Sequence, residues 1–124
     1  MRDVSFPVEV IDGVPVLAAP EEIDITNAVG LRAALGQAAG NGHETLVVDL
    51  TRTRFCDSAA IHALVDAHRR ARAAGGQVRL AVSGGAVPRI FEITGIDRVL
   101  HHFPSVAEAL AHVPAAETPG PPSG

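Results

Sequence analysis

The sequence contains no tryptophan, no tyrosine and only four phenylalanines, Phe6, Phe55, Phe91 and Phe103. Its core is therefore aliphatic, and the aromatic platform on which single-stranded nucleic acid stacks is missing. Lysine is absent too: all ten basic residues are arginine, and 14 acidic residues outnumber them for a net charge of −4. That balance excludes the basic footprint of a nucleic-acid binder, while the lack of lysine carries no functional meaning of its own. Arg69, Arg70 and Arg72 cluster, but Asp66 stands four residues before Arg70, and the group reads as a solvated helix face. With Cys56 as the only cysteine there is no disulfide framework and no cysteine-based metal site. No segment approaches the roughly 18 apolar residues of a membrane span, and the first residues lack a basic stretch followed by an apolar one. The expectation is a soluble, cytoplasmic domain with no membrane insertion.

What is present suffices for one folded domain: 124 residues with 47% hydrophobic content can bury a single core. Phe6 to Ala18 reads as a hairpin turning at Asp12-Gly13, with Pro15 at a sheet edge or where its amide is unneeded. Asp24 or Thr26 can cap a helix in which Ile25, Ala28, Leu31, Leu35 and Ala38 recur at helical spacing and which Gly40-Asn41-Gly42 stops. Thr45 to Leu50 and Val78 to Val82 are short apolar runs, as strands covered on both faces should be. A long helix from about Ser58 to Ala74 lies between them, with Ile61, Leu64, Val65 and Ala71 on one side. Ser83-Gly84-Gly85 opens a shorter helix that Gly95 closes, Val99-Leu100 reads as a last strand, and Ser105 can cap a final helix. Strands alternating with helices predict an α/β fold, a mixed sheet in which the N-terminal hairpin joins parallel crossovers. The domain is expected to span residues 1–113, and the Pro/Gly-rich stretch 114–124 to be a disordered tail.

Chemistry concentrates at Asp57-Ser58, where a loop after a buried strand delivers a hydroxyl to the first turn of a helix. Two readings stand. Ser58 and Asp57 are ordinary helix caps, or Ser58 is a phosphoacceptor at a terminus whose amides and dipole favour negative charge. The small residues Ala59 and Ala60 leave Ser58 sterically open, and a phosphate there adds up to about two negative charges beside Asp57. Ser58, His62 and Asp66 fall at i, i+4 and i+8, superficially the members of a hydrolase triad, but without an oxyanion hole or a nucleophile elbow. The histidines have no metal-site spacing: His62 and His68 face different sides, and His101-His102 lacks carboxylate or thiolate company. Ser83-Gly84-Gly85 is a weak candidate anion cradle and more simply a strand-to-helix turn. No cofactor is called for.

Four segments, taken in order, resemble the STAS domain family and, within it, the bacterial anti-sigma factor antagonists. Glu21-Glu22-Ile23-Asp24 resembles the Gly-Glu-Leu/Ile-Asp segment, and Leu46 to Leu50 the central strand. Phe55-Cys56-Asp57-Ser58 resembles the Phe-x-Asp-Ser phosphoacceptor motif, and Val87 to Ile96 the late helix with its Thr-Gly-hydrophobic exit. The resemblance covers about residues 6–112 and implies a regulatory binding module with no activity of its own. It implies that the unphosphorylated chain binds an anti-sigma factor that is a serine kinase supplying its own ATP, and so frees a sigma factor. Phosphorylation of the position that maps to Ser58 ends the complex, and a metal-dependent serine phosphatase resets it. The implied docking surface comprises Glu22, Asp24, Asp57, Ala59, Ala60, Ile61 and His62, and the free chain is expected to be a monomer or weak dimer. Two departures stand out. The family commonly has Asp-Ser-Ser/Thr-Gly where this chain has Asp57-Ser58-Ala59-Ala60, and Gly where it has Glu21. They leave open an alternative, a phosphorylation-insensitive structural subunit of a signalling or lipid-transport complex.

Overall fold

The computed structural model describes residues 6–39 and 45–111. Strands β1 (Val8–Ile11) and β2 (Val14–Ala18) form the expected hairpin, with Asp12 and Gly13 both at positive φ in the turn. β3 (Glu22–Ile23) leads through a capped turn to α1 (Ala28–Ala39), and β4 (Thr45–Asp49) follows. β5 (Phe55–Cys56) then opens directly into α2 (Ser58–Ala73), and β6 (Gln77–Ala81) runs back into the sheet. The chain finishes with α3 (Ala86–Thr94), a 3-10 turn at Ile96–Arg98, β7 (His101–Phe103) and α4 (Val106–Ala111).

The main sheet has the order β1-β2-β4-β6-β7, antiparallel only at the hairpin and parallel elsewhere, so it is mixed as the sequence predicts. Pro15 is opposite Val10, one residue before the β2–β4 ladder begins at Val16. The period-two alternation of strands sorts the core into two faces. Leu46, Val48, Val78 and Leu80 pack with Leu31, Leu35, Leu64 and Phe91 of the long helices. Val16 and Val47 point the other way, against Ala109 and its neighbours on α4.

Two expectations need correction. Ile25 is neither helical nor buried: Asp24 accepts the amides of Asn27 and Ala28 on its carbonyl, so α1 begins beyond it and Ile25 is left in the turn. The last strand is His101–Phe103 rather than Val99-Leu100, since Leu100 is buried in the preceding turn while the edge strand carries polar residues. A two-stranded parallel sheet pairs β3 with β5, a feature too short to have a sequence period. Asp66 pairs with Arg32 across α1 and α2, at 2.8 Å, and Arg70 and Arg69 of its own helix add a weaker attraction. The Gly40-Asn41-Gly42 stop and the tail at 114–124 lie outside the described residues.

Candidate functional site

The small β3–β5 sheet fixes the loop that carries Asp57 and Ser58. Glu21 and Ile23 carbonyls accept from the amides of Arg54 and Asp57, at 2.7 and 3.1 Å. The Thr53 hydroxyl donates to the Pro20 carbonyl at 2.7 Å, which anchors the start of β5. Cys56 turns inward and Phe55 outward from the same two-residue strand. Burial, with the Asp57 charge adding, pushes the Cys56 thiol up to about 11, so it stays protonated and unreactive at neutral pH.

Asp57 rather than Ser58 caps α2. Its backbone is extended, and its Oδ1 accepts from the amides of Ala59 and Ala60 at 3.0 and 3.2 Å. Its Oδ2 reaches across to the Ile25 amide at 3.1 Å, tying the β3–α1 turn to the start of α2. Asp24 organises that turn in the same way, accepting from both the amide and the hydroxyl of Thr26. Those bonds, the hydroxyl's first, hold the Asp24 carboxyl below its ordinary range.

Ser58 therefore occupies the first helical position with its cap duty already taken. It is exposed, and its Oγ makes no hydrogen bond among the described residues. The first-turn amides expected to receive a phosphate are largely engaged: Ala59 and Ala60 donate to Asp57 Oδ1 and Ile61 to the Asp57 carbonyl. The terminus keeps its dipole but has few spare donors.

Of the other sequence-predicted site residues, Glu22 and His62 are exposed and Asp24, Asp57 and Ala59 partly so. Ala60 and Ile61 are not surface groups: both pack in the main core, Ile61 at 8% exposure, because helical periodicity turns them under the site. They support the surface from beneath, and the methyl that Ala60 adds relative to glycine lies inside the protein. The Ser58-His62-Asp66 set is broken by the Asp66–Arg32 pair. The Ser83 hydroxyl is committed to the Thr51 carbonyl at 2.9 Å, and Gly85 simply supplies a positive φ before α3. Among the described residues there is no cluster of three metal-ligating side chains, and no helix is long and apolar enough to cross a membrane.

Sequence reasoning missed three exposed apolar residues. Ile25, Val29 and Phe55 are 74%, 73% and 46% exposed: Phe55 lies in the strand before Asp57, the Ile25 amide is bonded to Asp57, and Val29 is the second residue of α1. Exposed aliphatic and aromatic side chains next to an open hydroxyl are what a protein-binding patch requires. The signal available was the alternation in β5, which puts Phe55 outside once Cys56 is inside.

Residues 5–109 match the STAS domain family. The chain belongs to that family. This STAS domain is 29% identical over 113 residues to the anti-sigma-F factor antagonist RsfB of Mycobacterium tuberculosis, covering 88% of this chain and 90% of the relative. Its fold superposes on the crystal structure of an anti-sigma factor antagonist from Mycobacterium paratuberculosis with a TM-score of 0.82 and 28% identity, over 90% of this chain and 94% of the other. It also matches the fold of the anti-sigma factor antagonist SpoIIAA in its unphosphorylated form, with a TM-score of 0.72 and 21% identity over 86% and 93% of the two chains.

Proposed function

We propose that this STAS domain is an anti-sigma factor antagonist, a binding module without catalytic activity, switched by phosphorylation of Ser58. Its unphosphorylated form docks an anti-sigma factor serine kinase through the surface of Glu22, Asp24, Asp57, Ala59 and His62, widened by Ile25, Val29 and Phe55. The kinase transfers the γ-phosphoryl group of its own ATP to Ser58 Oγ, and the complex separates. A serine phosphatase then restores the hydroxyl. The observation that carries the reading is the exposed Ser58, whose Oγ has no hydrogen-bond partner among the described residues while Asp57 does the capping. The names of the similar proteins supply the partner class, and SpoIIAA itself has been solved in unphosphorylated and phosphorylated forms.

Mechanistically, the switch acts on docking rather than on folding. The phosphate brings about two negative charges next to the Asp57 carboxylate and near Asp24 and Glu22. Few free amides remain to absorb them, so the charge stays at the interface, where an apolar contact ring makes it costly to desolvate. The Ala59-Ala60 departure does not reach the docking face at its second position, since Ala60 is fully buried.

Intact mass of the chain isolated from its host, wild type beside Ser58→Ala, tests this. A single-phosphate increment confined to wild type is the expected result. Absence of the increment, with an unchanged complex to a non-kinase partner, overturns the switch and leaves a constitutive structural subunit.

A further inference from the structure

Among the described residues, no ion pair neutralises the positive charge that Arg79 brings to the β7 edge of the sheet. Arg79 is the middle residue of β6, only 6% exposed, between Val78 and Leu80 of the main core. Strand alternation turns it to the opposite face, where its guanidinium carbon lies 5.3 Å from the centre of the Phe103 ring. Its buried Nε has no hydrogen-bond partner, and the ion pairs among the described residues, Arg32–Asp66 and Arg54–Glu21, do not involve it. A buried cation without a counter-charge is costly to keep, and the cost is recovered when an anion binds. Arg79 also lines an open cleft of about 500 Å³ with Asp97, His101, His102 and Phe103. His101 continues into an adjoining hollow of about 300 Å³ beside His68 and Arg72. None of these residues belongs to the Ser58 surface.

We propose that this cleft binds a small ligand carrying an oxyanion, phosphate or carboxylate, paired with the Arg79 guanidinium. The planar fork of arginine matches both groups, and the Phe103 ring beneath it restricts its orientation. The exposed His101 and His102 supply further donors at the rim, while Asp97 is the one acidic side chain in the lining and opposes the ligand. The cleft has the size of ordinary small-molecule sites.

The test is a titration of the full ¹⁵N-labelled chain with inorganic phosphate, and separately acetate, against sodium chloride at matched ionic strength. Saturable amide shifts confined to β6, β7 and the 3-10 turn are expected with both oxyanions and not with chloride. Arg79→Met, which keeps the apolar stem, should weaken binding about tenfold or more, and Asp97→Asn should strengthen it about two- to fivefold. Shifts that chloride reproduces, shifts confined to the first turn of α2, or binding unchanged in Arg79→Met overturn the proposal. If Arg79→Met does not fold, Asp97→Asn decides: affinity no tighter than wild type overturns it.

Discussion

Removing Asp57 should cost this domain far more stability than removing Ser58, although the two are adjacent and both are good capping residue types. The Asp57 carboxylate accepts three amide hydrogen bonds, from Ala59, Ala60 and Ile25. Loss of the cap costs about 1 kcal/mol, within a range of about 0.5–2. The bond to Ile25 is made by a charged acceptor and links two segments far apart in sequence, which contributes about 1 kcal/mol more. Asp57→Ala is therefore expected to lose about 2 kcal/mol, or about 8 °C in Tm for a domain of this size. Asp57→Asn keeps the Oδ1 cap but presents an amide to the Ile25 N–H, and should lose about 1 kcal/mol. Ser58→Ala removes a solvent-facing hydroxyl and should stay within about 0.5 kcal/mol of wild type.

Urea unfolding of the four proteins checks this ordering. If Ser58→Ala is as costly as Asp57→Ala, then Ser58 is a structural cap, and the claim that its hydroxyl is kept free for modification fails. If Asp57→Asn matches Asp57→Ala, the link to Ile25 rather than the cap carries the stability, and the division of labour between the two oxygens is wrong.

Ala60→Gly restores the residue common in the family and should destabilise by about 1–2 kcal/mol, from helix propensity plus one lost buried methyl. Under the proposed switch, phosphorylation of Ser58 by an anti-sigma factor kinase should proceed at the wild-type rate; a large acceleration would place Ala60 at the interface after all. Cys56, with its thiol pushed up to about 11, should resist dithiobis(nitrobenzoate) in the native state and react fully in denaturant, followed by absorbance. His68 Nδ1 accepts the Val78 amide at 3.1 Å, and burial, then Arg72 and His101, lower its pKa from 6.5. The folded chain thus binds this proton less readily than the unfolded one. The His68 contribution is complete above pH 6.5 and declines as pH falls below it. In His68→Gln that component of the decline should vanish from denaturation midpoints measured across about pH 5 to 7.5; an unchanged profile refutes the assignment.

The architecture was largely legible because its long elements announce themselves. The mostly apolar runs at 45–50 and 78–82 lack a regular polar alternation, as strands covered on both sides do, and α2 and α3 end where Gly75 and Gly95 offer positive φ. Illegible features were those set by tertiary context. Two-residue strands such as β3 and β5 have no period to detect, and the edge strand His101–Phe103 reads as a loop because its polar residues face solvent. Ile25 fits the apolar stripe of α1, yet the reciprocal bond from the Asp24 amide to the Asn27 side chain starts the helix after it. At the site, Asp57-Ser58 was visible as a motif, but which of the two caps depends on the backbone angles of Asp57. Arg79 did leave a signal, a lone charge between Val78 and Leu80, which says that something must meet it without saying what.

In the proposed switch, the adjacency of Asp57 and Ser58 solves a conflict at a helix terminus. A serine that caps its own helix has its Oγ committed to a backbone amide, so modification disturbs a bond worth about 1 kcal/mol. Here the cap belongs to the preceding residue, whose second oxygen also fastens the neighbouring turn. The hydroxyl is thus held at a defined point by bonds it does not make. In the proposed switch those bonds do not involve Ser58 Oγ, so a phosphate there is expected to leave the cap in place and to act on the partner rather than on the fold.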